Sequence, residues 1–183
     1  MHGERKSGLS YSTAADRDDT LAAAIGRYIQ SSAALERALR VAILRLLPLS
    51  DDVGLALIND HSAANNREVL MRLLNLKDIP IDETWRQKLM AALPAVRSSQ
   101  EDRNRIAHHL ILPASGEEYV AMIEKKGARS ASFVSAEVIS DWALEANELT
   151  ALIEGVPHAD YSNVDLIKQS PSFPLKAWPK RQR

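Results

Sequence analysis

Residues 102–111 read DRNRIAHHLI. Two arginines flank Asn104, and His108 follows Arg103 by five positions and Asn104 by four. An arginine and a histidine are enough to cut RNA without a metal. The substrate's 2′-hydroxyl is the nucleophile, a histidine titrating near neutrality moves the protons, and a guanidinium fork holds the phosphate as charge develops. DNA lacks that hydroxyl and would be spared. The same residues also fit a plainer description: a histidine near a helix C-terminus meets the negative end of the helix dipole.

The elements that must position these residues follow from apolar period and punctuation. Residues 1–17 are polar and small, an expected disordered arm with no apolar core of a signal peptide. A first helix is expected from Asp18–Thr20 to about Leu47, before Pro48, with Leu21, Ile25, Tyr28, Ile29, Leu35, Leu39, Ile43 and Leu46 recurring at three and four. Shorter helices are expected at Asp52–Asn59 and from Ser62 to Leu76. A further helix starts near Asp82 with Trp85, Leu89, Leu93 and Val96 as its stripe, and Pro94 within it implies a kink or a junction of two helices. From 118 to 135 the period changes to alternation around Lys126-Gly127, a small β-hairpin. A last helix runs from Ser135 to about Glu154. The fold class expected is all-α, an antiparallel helical bundle over residues 18–155 with the hairpin inserted before the last helix. Residues 156–183 are Pro-rich and basic and read as an extended arm, whose Trp178 is suited to docking on a partner.

Faces sharpen the reading. At about 100° per residue, Glu36 and Ser32 fall inside the apolar stripe of the first helix, within about 20° of Ile25 and Ile43. On an unbroken fourth helix Arg103 falls on the stripe of Trp85 and Val96. A carboxylate and a guanidinium that both face inward suggest that Glu36 receives Arg103; the alternative is that both snorkel to water. Asn104 shares a face with His108 and can orient it, while Arg103 lies about 140° away. Arg103 and His108 can therefore act on one phosphate only if the helix ends within the motif or two copies share the site. His109 points some 100° from His108 and reads as a neighbour. His61, beside Asn65 and Asn66, either lines the same cleft or belongs to a cap and surface cluster.

Composition narrows the classes. The chain has 183 residues, a formal net charge of −1 and no cysteine. A global basic field for nucleic acid, disulfides, thiolate metal sites and a cysteine nucleophile are excluded. No H-E-x-x-H, G-x-S-x-G, phosphate-binding glycine loop or dinucleotide fingerprint occurs. The longest strongly apolar run, Val41 to Leu47, is too short for a bilayer and holds Arg45. A soluble, cytoplasmic protein without metal or cofactor is expected.

RNRIAHH resembles the R-N-x-x-x-H form of the R-x(4–6)-H signature of the HEPN superfamily. The setting is similar too: a helical bundle, an early helix with ALERAL carrying Glu36, and the motif late in a central helix, together covering roughly residues 18–154. The resemblance implies a homodimeric, metal-independent endoribonuclease of a prokaryotic toxin–antitoxin, phage-defence or RNA-processing system, its two motifs meeting across the dimer. It implies Arg103 on the phosphate, His108 as acid/base, Asn104 as the polar second residue and Glu36 as the tether of Arg103. Ser32, from its place on the stripe, and His109, as the neighbour of His108, are expected in supporting positions. The partners implied are RNA, a second copy and an antitoxin or regulatory protein. Some members keep the helices without demonstrated activity, so the alternative is a silent RNA- or protein-binding module. Leu110 stands where one toxin branch has the tyrosine of H-x-Y, so regulation by modification of that tyrosine is not expected.

Overall fold

The computed structural model describes residues 14–108, 110–113, 119–125 and 128–162. Five helices and three strands follow in the order α1 (Ala14–Leu46), α2 (Asp51–Ile58), α3 (Ala63–Asn75), α4 (Glu83–His108), β1 (Leu110–Pro113), β2 (Tyr119–Lys125), β3 (Ala128–Val134) and α5 (Ala136–Glu154). The architecture is a helical bundle with a small antiparallel sheet inserted before its last helix.

Local chemistry sets the boundaries. Ser62 and Ser135 accept the backbone N–H groups of Asn65 and Val138, each at 3.2 Å, and so cap α3 and α5. Asp82 caps α4 through its carboxylate, 2.8 Å from the Thr84 nitrogen. α1 begins at Ala14 and so takes in the end of the expected N-terminal arm. Pro94 lies inside α4, which runs as one helix rather than as two that meet.

The core is the apolar stripe of α1 closed over by α3, α4 and α5. Tyr28, Leu35, Leu39, Ile43, Leu70, Leu89, Val96, Ile139 and Ile153 are among its fully buried side chains. Trp85 and Trp142 are half-buried against it. α1 and α5 run in the same direction: Tyr28 meets Trp142 with ring centroids 5.7 Å apart, and Arg37 meets Glu154 at 2.6 Å. α4 runs opposite to both, because Trp85 packs at Gly155 while Arg105 lies 5.9 Å from the Trp142 ring.

β2 and β3 form the expected hairpin, with Lys125 paired to Ala128 across residues 126 and 127, which lie outside the described residues. β1, which no period announced, adds a third strand in the order β1-β2-β3. Tyr119 and Val134, a cross-strand pair, are both buried, while Phe133 beside Val134 is exposed, so the sheet lays one face on the bundle.

Past Gly155 the chain does not leave the bundle at once. Val156 is buried, the Ala159 N–H donates to the Arg45 carbonyl at 2.8 Å, and the Tyr161 hydroxyl donates to the Leu46 carbonyl. The first residues of the expected arm thus belong to the helical domain, and residues 163–183 lie outside the described residues. Among the described residues no helix is long and apolar enough to cross a membrane.

Candidate functional site

The RNRIAH stretch occupies the last two turns of α4, and the helix ends at His108. Alternate residues of this stretch have different fates. Arg105 is committed to the fold: its guanidinium pairs with Asp102 at 3.0 Å and covers the Trp142 ring. Ile106 is buried. Arg103 is half-buried, and Asn104 and His108 are exposed. His109 lies outside the described residues.

The side chain of Asn104 serves Arg103 first. Its Oδ1 accepts from Arg103 Nη1 at 3.3 Å, a long bond that leaves the other guanidinium donors available. Because α4 is helical through His108, Arg103 and His108 project about 140° apart. One chain therefore does not bring them onto one face, and the condition that the helix break within the motif is not met.

The expected Glu36–Arg103 pair does not form within the chain, and the direction of the helices is the reason. The Tyr28 hydroxyl donates to the Ser99 carbonyl at 2.7 Å and fixes the level at which α1 and α4 meet. From that level Arg103 lies one turn toward the start of α1, and Glu36 lies two turns toward its end. At about 1.5 Å per residue they stand roughly 18 Å apart along the bundle. Glu36 is half-buried, and Ser32 is buried one turn from Tyr28 on the side away from Arg103.

Residues that sequence reasoning did not single out make up the electrostatics behind the motif. Burial raises the Asp102 carboxyl above its usual value; Arg105 opposes this, and Glu145 and Glu101 add to it. Burial also raises the Tyr28 phenol, and the charges of Asp102 and Glu145 add to it. The hydroxyls of Ser32 and Ser99, the Gln100 amide nitrogen, the Asn66 Oδ1 and the His61 Nδ1 are buried without hydrogen-bond partners among the described residues. Asn66 is 1% exposed, so it belongs to the interior and not to a surface cluster. The Asp102/Arg105 spacing of three was a readable signal, since such pairs meet on a helix. Tyr28 carried no signal beyond its place in an apolar stripe.

A separate open groove of about 490 Å³ runs between α1 and α5, lined by Arg27, Gln30, Ser31, Leu144 and Asn147 among others. It includes none of Arg103, Asn104 or His108. Among the described residues no three His, Asp or Glu side chains gather as metal ligands. No protein-family model, curated protein or solved structure matches this chain.

Proposed function

We propose that this chain is a metal-independent endoribonuclease of the HEPN type, cytoplasmic and homodimeric, serving a prokaryotic defence or toxin–antitoxin system in which an antitoxin or regulatory protein is its further partner. The observation that carries the reading is the fate of neighbouring cations in the last turns of α4. Arg105 is used up by Asp102 and Trp142, whereas Arg103 keeps donors free and His108 is exposed at the helix end. A guanidinium with unused donors is suited to a phosphate.

In this reading Arg103 of one copy holds the scissile phosphate and His108 of the other transfers the proton, which reconciles their angular separation on one helix. The 2′-oxygen attacks phosphorus and loses its proton, the 5′-oxygen leaves and gains one, and the products are a 2′,3′-cyclic phosphate and a 5′-hydroxyl. Asn104 positions Arg103 through the bond already present.

A second reading, a silent RNA- or protein-binding module on the same helices, is favoured by one observation. Glu36, the implied tether of Arg103, stands far from it within the chain, so an activating contact is missing there. Purified protein and His108→Ala, incubated with a mixed RNA pool in excess EDTA, separate the two. Cyclic-phosphate ends that vanish in the variant support the enzyme. Equal RNA binding by both folded proteins, with no cleavage by either, selects the binding module.

A further inference from the structure

The end of the bundle opposite the motif carries an apolar surface that the described chain leaves open. α2 rests on α1 by Gly54, where a Cβ would collide with the Leu44 side chain, and by the buried Ile58. Around that seam it is apolar on both sides. Val53 and Leu57 lie on one flank and Leu55 on the other, 51%, 58% and 41% exposed, and Leu49 just before the helix is 40% exposed. A helix that exposes apolar side chains on both flanks has surface left to bury, and an eight-residue helix is marginal without packing.

The chain itself supplies a cover. Tyr161 and Ala159 are bonded to the carbonyls of Leu46 and Arg45, so the chain is delivered to the last turn of α1. That turn lies a few residues before α2. Twenty-one residues follow Ser162. Five extended residues reach about 16 Å, more than the roughly 12 Å length of α2. The first five include Val164, Leu166 and Ile167, and Phe173, Leu175 and Trp178 come later. The segment carries Lys168, Lys176, Lys180, Arg181 and Arg183 against one acid, Asp165, while α2 opens with exposed Asp51 and Asp52 and is followed by exposed Asp60.

We propose that the chain's own C-terminal segment, from 163 to about 178, docks on α2 and covers Leu49, Val53, Leu55 and Leu57. This is independent of any ribonuclease activity.

The chain has no cysteine, so Ser172→Cys carries a single nitroxide label on the full-length protein. The expected result is strong broadening of the amides of residues 53–58 relative to those of 138–148 at the other end. It should persist when labelled chain is diluted with excess unlabelled, isotopically silent chain. Broadening of α2 no greater than that of α5 overturns the proposal. So does broadening that appears only in an isotope-enriched chain mixed with nitroxide-bearing copies, since the segment would then dock on a second copy. In parallel, Ile167→Asp with Trp178→Ala should speed hydrogen exchange of the α2 amides at least about threefold while leaving α3 and α5 unchanged. Unchanged α2 exchange overturns it.

Discussion

Arg45 and Arg103 stand at opposite ends of the bundle, each in the last turns of a long helix, and they are held in opposite ways. Arg45 donates to the backbone carbonyls of Glu154 and Val156, and its own carbonyl receives the Ala159 N–H. It satisfies carbonyls that the end of α5 leaves without intrahelical partners. Arg103 has one long bond to the side chain next to it. A cation bonded to backbone of another element is part of the scaffold. A cation bonded only to an exposed neighbouring side chain keeps its charge for something outside the chain.

This contrast can be broken most directly at the motif. Arg103→Ala or His108→Ala should lower RNA cleavage by about 10²–10⁴-fold while leaving the unfolding free energy from urea melts within about 0.5 kcal/mol of wild type. A large loss of stability in either variant would make the motif scaffold after all.

At the other end the effect should be on folding. Arg45→Met strands two carbonyls that now receive a charged donor, and should cost about 2–3 kcal/mol in urea melts. A neutral result would remove the distinction between the two arginines.

Tyr28→Phe tests the level that keeps Glu36 from Arg103. Loss of the buried bond to Ser99 should cost about 1–1.5 kcal/mol, with the helix content kept in circular dichroism.

The smallest effect is a slope with pH. The folded-state Asp102 carboxyl titrates above its usual value of 3.8 because burial disfavours its charge. Its contribution to stability is therefore full below that value and is lost as pH rises through the raised one. Asp102→Asn should gain on wild type as the medium goes from acid to neutral, in paired urea melts at each pH. A difference that shrinks with rising pH would reverse the assignment and make the Arg105 pair the stronger influence.

Most of the helices were legible because one apolar stripe and its caps settle them locally. Ser62, Asp82 and Ser135 mark starts, and Pro48 closes α1. The hairpin was legible from alternation about Lys126-Gly127. β1 was not, because four residues directly after a helix show too little period to separate strand from helix. At the candidate site, the divergence of Arg103 and His108 followed from their spacing on one helix. The partner assigned to Arg103 did not, since inward angle says nothing about height along a neighbouring helix.

The order of residues alone determined where each helix runs, which face of it is apolar, and that Arg103 and His108 on one helix point apart. These are properties of a single backbone period. The tertiary structure alone decided that α1 and α4 run in opposite directions with Tyr28 level with Ser99, and hence that Glu36 stays away from Arg103. It also decided that Arg105 is spent on Trp142 and Asp102, and that α2 shows its apolar flanks. Such outcomes depend on the direction and register of packed helices, which are set by how whole faces interlock and are written in no one segment.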